Sequence, residues 1–149
     1  MSLAPLINQA IRQLGLSPDV CVQLSPSHAE DLVQRFLTRF TGGVRPGFWW
    51  EQLTGTKASL HLPGGHGLDR LLQIVPEPIA AVWVVTFWGD GPEVFDSTPK
   101  AIATVFAECS AFEYFVVPRD LSWLVGENHH DFLIAVGEPV VSRLRMLAS

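Results

Sequence analysis

The pattern of this chain predicts an α+β domain, and three observations carry that prediction. Segments with apolar residues at helical spacing alternate with short apolar runs rich in Val, Phe and Trp. Gly89-Asp90-Gly91-Pro92 is a tight turn between two such runs, which makes an antiparallel pair there. The first and last segments are amphipathic helices, and each needs a hydrophobic surface to cover. The expected architecture is one domain over residues 1–149. Its centre is a mixed, mostly antiparallel sheet of about five to six strands, packed by terminal and inter-strand helices. Strand order does not follow from the pattern.

Leu3, Leu6, Ile7, Ala10, Ile11 and Leu14 recur on one helical face, with Ser2 as the cap and Gly15 past the end. Val20 to Leu24 reads as a short strand closed by Ser25-Pro26. Ser27-His28-Ala29-Glu30 matches a capping box, so a second helix runs to about Phe40 with Leu32, Val33, Phe36 and Leu37 inward, stopped by Gly42-Gly43. From Val44 to Gly67 the chain is irregular, with brief strands at Phe48-Trp49-Trp50 and Leu60-His61-Leu62.

Leu68 to Val75 reads as a short helix stopped by Pro76. Ile79 to Trp88 has the composition of a central strand covered on both faces, and Glu93 to Asp96 returns beside it. Pro99 opens a helix whose buried stripe is Ile102, Val105, Phe106 and Cys109. Phe112 to Val117 and Phe132 to Val136 are two further strands, and a last helix follows Glu138-Pro139 with Val140, Val141, Leu144 and Leu147 inward.

Composition narrows the function classes. A chain of 149 residues with 48% apolar and 17% charged residues can bury an ordinary core, with less charge than the domain average of about 25%. The net charge is -5 and the ten Lys and Arg are scattered, so the basic footprint of a nucleic-acid binder is missing. Two cysteines, Cys21 and Cys109, make neither a disulfide framework nor a zinc box, which points to the reducing cytoplasm. The start of the chain lacks the form of a signal peptide, and the longest apolar run falls short of the ~20 residues a spanning helix needs, so no membrane partner is expected.

The one place where a site can assemble locally is Trp123 to Gly137, where Glu127-Asn128-His129-His130-Asp131 interrupts two apolar runs. If the segment is extended, His129 and Asp131 share one side and His130 takes the other. The catalytic candidates are His129 or His130 as general base, with Glu127 or Asp131 as the carboxylate that orients it. The competing reading is that Asn128 and the histidines hydrogen-bond a turn before the strand. His61, His66, His129 and His130 show no metal-ligand spacing, so no metal and no cofactor is assigned. Gly64-Gly65-His66-Gly67 lacks the Lys-Ser or Lys-Thr of a phosphate loop and reads as a turn.

Trp49, Trp50 and Trp123 stand beside polar or loop residues and, with Asn128, are the binding candidates. Their alternative role is to pin loops to the core. Together with Glu51, Asp90, Glu93 and Asp96 they make an acidic, aromatic surface for a protein partner.

The segment from Trp83 through Phe112-Glu113-Tyr114-Phe115-Val116-Val117 to Trp123-Leu124-Val125-Gly126-Glu127-Asn128-His129-His130-Asp131 resembles a family of small uncharacterised bacterial proteins. Those proteins carry a Glu-Tyr-Tyr strand followed by a Trp-Leu…Glu-Asn-His-His-Asp segment, and here Phe115 replaces the second Tyr. The resemblance spans about half the chain and implies no established activity. At the level of architecture alone, size, acidity and element order are similar to the immunity-protein superfamily that includes the SMI1/KNR4 type, which implies a single cytoplasmic domain that neutralises a toxin. Three readings stay open: a protein-binding domain, immunity-like or otherwise; a small enzyme using His129 or His130 as base; and a structural domain without a catalytic site. The sequence leaves the oligomeric state and the partner's identity undetermined.

Overall fold

A computed structural model of the chain describes residues 2–43, 53–64, 67–88, 91–109 and 112–148. The elements in order are α1 (Ala4–Gln13), β1 (Val22–Gln23), α2 (Pro26–Thr41), β2 (Lys57–His61), α3 (Leu68–Ile74), β3 (Val82–Trp88), β4 (Gly91–Ser97), α4 (Pro99–Phe106), β5 (Glu113–Pro118), β6 (Leu124–Glu127), β7 (Phe132–Val136) and α5 (Val140–Ala148). Among the described residues the sheet has seven strands in the order β1-β4-β3-β5-β6-β7-β2, and every pairing is antiparallel. The expected α+β class stands, with seven strands where five to six were expected and no parallel pair among those described.

Alternation along the strands sorts side chains onto two cores. Val82, Val84, Phe95, Tyr114, Val116, Val125 and Leu133 pack with residues of α1, α3, α4 and α5. Val85, Phe115, Val117, Leu124, Ile134 and Val136 pack with Phe36, Leu37 and Phe40 of α2. Among the described residues, four helices therefore cover one face and one helix covers the other. β3 lies between β4 and β5 and contributes to both cores, as its unbroken apolar composition predicts.

Several boundaries move for identifiable reasons. α2 begins at Pro26, and Ser25, not Ser27, is its cap: the Ser25 hydroxyl accepts from the His28 N–H at 3.4 Å, and proline suits the first helical position. At α1, Leu3 occupies the cap position, while the Ser2 hydroxyl accepts from Ala4 N–H and donates to Glu93. The strand expected over Val20 to Leu24 shrinks to two residues, because Pro18–Val20 forms a 3-10 turn before it. β2 begins three residues ahead of its expected start, and β3 begins three residues after its own, leaving Ile79 75% exposed. α4 ends at Phe106, so Cys109 lies beyond the helix.

β6 is the strand the pattern missed. Its Gly126 and Glu127 are both unfavourable strand residues by composition. The close approach of the neighbouring chain accounts for the glycine: a Cβ there would meet Phe115 Cδ1 at 2.1 Å and the Tyr114 carbonyl at 2.6 Å. The brief strand expected at Phe48-Trp49-Trp50 lies outside the described residues.

Candidate functional site

β6 and β7 form a hairpin, and Asn128 to Asp131 is its turn. Asn128 N–H donates to the Phe132 carbonyl at 3.1 Å, and Asp131 N–H to the Asn128 carbonyl at 3.2 Å. The Asn128 side chain completes the turn, its Oδ1 accepting from His130 N–H at 2.9 Å and from Phe132 N–H at 3.1 Å. Asp131 closes it with a left-handed φ of 64°, a conformation that Asp tolerates better than most residues. Asn128 is 4% exposed, so it holds the tip together from beneath.

The turn removes the alternation that an extended segment would impose. His129 and His130 sit side by side at the exposed tip, their ring centroids 4.0 Å apart. A third residue joins them from β5. One Glu113 oxygen, Oε2, lies 2.7 Å from His129 Nδ1 and accepts the His129 backbone N–H at 3.0 Å. The expected orienting carboxylates, Glu127 and Asp131, are engaged elsewhere. Glu113 escaped the sequence argument because its relation to His129 depends on the β5–β6 pairing, 16 residues away.

Glu127 faces the helix-rich side and is 8% exposed. Its Oε2 accepts the Gly67 N–H at 3.1 Å, where α3 begins, and a Cβ on Gly67 would sit 2.6 Å from its carboxyl carbon. Burial raises its pKa, opposed by the Gly67 N–H and by Tyr114. The Tyr114 hydroxyl is itself held well above its ordinary range by burial and by the nearby Glu127 carboxylate. It is close enough to Glu127 for the two to influence each other, yet it makes no hydrogen bond of good geometry among the described residues.

Asp131 Oδ2 accepts the Gly64 N–H at 3.2 Å. Two amides of the glycine-rich stretch are thus occupied by this chain's own carboxylates, Asp131 and Glu127. That supports the turn reading of the stretch; Gly65 and His66 lie outside the described residues.

The remaining candidates separate. Trp123 is 6% exposed and belongs to the core on the helix-rich side, so it pins the entry to β6 and offers no exposed anchor. Trp49 and Trp50 lie outside the described residues. Cys21 is buried, and burial pushes its thiol up to about 12, which makes it a poor nucleophile. Among the described residues no three His, Cys, Asp or Glu converge to hold a metal ion.

Beside the turn, on the α2 side of the sheet, lies a hollow of about 300 Å³ lined by Lys57, Ala58, Ser59, Asn128, Phe132 and Ile134. None of these is His129, His130, Asp131 or Glu113, so the described lining keeps the histidine cluster and the hollow apart. No described helix is long and apolar enough to cross a membrane.

No curated protein and no solved structure matches the chain. One family model does, over residues 2–148, and its members are described only as a family of unknown function (DUF6756). With almost its full length matched, the chain belongs to that family.

Proposed function

We propose that this chain is a protein-binding domain whose contact surface is the β6–β7 hairpin tip. The observation that carries this reading is the division of labour within the turn: buried Asn128 fixes the backbone, while the two adjacent histidines project from it. Rigid presentation lowers the ordering cost that a contact loop incurs on binding. The His129 side chain, half exposed and paired with Glu113, presents an aromatic and polar surface. An immunity-like role, with a toxin as partner and the cytoplasm as compartment, is the specific form this reading takes.

Affinity capture from cells that express the chain natively tests it. Wild type should retain a specific protein, and the His129→Ala/His130→Ala double variant should lose it with an unchanged melting temperature. Equal capture by both baits overturns the reading.

The 2.7 Å contact between Glu113 and His129 favours a second reading, a general base oriented by a carboxylate. That chemistry needs a concave pocket at the histidine. The separation of the hollow from the pair favours binding over catalysis. A hydrolytic or isomerising activity abolished by both His129→Ala and Glu113→Gln would reverse the order of the two readings.

A further inference from the structure

β2 ends the sheet, and its main chain offers a strand template there. Among the described residues its single strand neighbour is β7. Gly137 N–H donates to the Thr56 carbonyl and Leu62 N–H to the Asp131 carbonyl, so the hydrogen-bonded pairs with β7 fall at Thr56, Ala58, Leu60 and Leu62. The amides and carbonyls of Lys57, Ser59 and His61 therefore point outward, away from β7. Ala58 and Leu60 pack toward the helix-rich core, which leaves the side chains of Lys57, Ser59 and His61 exposed on the α2 side. The opposite edge differs: β1 has only two residues, and so short an edge strand offers little to pair with.

The hollow of about 300 Å³ lies beside these three residues. Ser59 is small, and past it Phe132 and Ile134 give the hollow apolar walls. Phe132 is 36% exposed, and the His61 ring stacks on it at 4.7 Å. A strand added to β2 would bond to the outward amides and carbonyls and aim every second side chain at the α2 side, the one across from Ser59 over the hollow. Charge then selects among strands. Lys57 is the one residue of β2 with a formal charge, and it is positive on a chain whose net charge is -5. A lysine guards an edge against its like, and a second β2 would bring no carboxylate to it.

We infer that the outer edge of β2 binds an extended, acidic segment of a partner protein, which continues the sheet with a carboxylate beside Lys57 and an apolar side chain over the hollow. Main-chain bonds hold such a segment, and the two side-chain contacts choose it. The surface is separate from the hairpin tip, and its chemistry does not use the histidines there.

The peptide Ac-Thr-Val-Leu-Val-Glu-Glu-NH2, aligned antiparallel to β2, sets its leucine across from Ser59 and a glutamate across from Lys57. Titrated into the 15N-labelled full chain, it should give saturable shifts at Lys57, Ser59 and His61 and slow hydrogen exchange at those amides. The same peptide N-methylated at the leucine keeps every side chain and loses the central main-chain donor, so it should not bind. Lys57→Met should weaken the parent peptide by about three-fold, the scale of one exposed charge contact. Ser59→Pro removes an outward N–H and no bond to β7, a place where an edge strand tolerates proline, and should abolish binding. If that variant fails to fold, the N-methylated peptide still decides, because it leaves the chain untouched. Equal binding of the two peptides, or absence of saturable shifts, overturns the proposal. So does slow exchange of the three amides in the free chain, which would mean an edge already covered, or a dimer lost on Ser59→Pro, which would give the edge to a second copy. The hairpin-tip reading is untouched by any of these results, since His129→Ala/His130→Ala leaves the outward groups of β2 in place.

Discussion

The two faces of the sheet are finished differently. On the face covered by α1, α3, α4 and α5, several polar groups are tied to partners within the chain, the Tyr114 hydroxyl being an exception. Glu127 takes the Gly67 N–H, the Thr86 hydroxyl donates to the Glu93 carbonyl, and the Glu93 carboxylate accepts from Ser2, Leu3 N–H and Gln23. On the other face α2 covers Phe115 and its neighbours, while toward β7 and β2 the side chains of Lys57, Ser59, His61 and Phe132 remain exposed. Because strands alternate, one residue separates the two regimes. Glu127 is structural and Asn128 turns to the hollow; Tyr114 is buried and Glu113 reaches the histidines. A polar residue at the same end of the same sheet thus serves the helix-packed side or the hairpin turn according to its parity.

The largest effect should come from breaking the packing that both faces share. Gly126→Ala drives a Cβ into the Phe115 ring and the Tyr114 carbonyl, so chemical denaturation should show a loss of about 3 kcal/mol or more. A loss below about 1 kcal/mol would mean that β6 does not depend on that close approach.

Asn128→Ala should rank next. It strands the His130 and Phe132 amides, and an unmade buried hydrogen bond costs about 1–3 kcal/mol. His130→Ala, whose side chain is exposed, should change stability by only about 0.5 kcal/mol. Thermal melts of the two variants side by side measure this contrast, and reversal of their order would remove the distinction between anchor and tip.

Glu127→Gln sharpens the comparison through pH. The folded carboxyl has a raised pKa, so the folded chain keeps its proton where the unfolded chain has lost it. The group costs nothing well below the ordinary glutamate value of about 4.3; stability then falls as pH rises through that value and levels off above the raised one. Gln removes this fall while preserving an oxygen for Gly67. The variant should therefore gain on wild type from acid to neutral pH, and a difference independent of pH would contradict the assigned burial penalty.

Much of this fold was legible where local chemistry dominates. The apolar stripe of α2, the antiparallel pairing of β3 with β4 and the proline that opens α4 rest on short-range signals, and each appears. β6 was not legible, because Gly126 and Glu127 suit that strand only through Phe115 and Gly67, which are distant in sequence. The tip was legible as a polar interruption with turn chemistry available to Asn128. Its assembly was not: Glu113 reaches His129 only through the β5–β6 pairing, and the neighbours of Trp123 left open both an interface anchor and a pin to the core, where the structure places it.

Partner capture by variants on two separate surfaces of the molecule tests the hairpin-tip reading most directly. One bait carries His129→Ala/His130→Ala at the tip, and the other carries Leu72→Ala/Met146→Ala on the outer surface of the helix-rich face, where these residues are 39% and 75% exposed. With melting temperatures matched, capture should be lost with the tip variant and retained with the helix-face variant. Retention by the tip variant together with loss at the helix face would contradict the account.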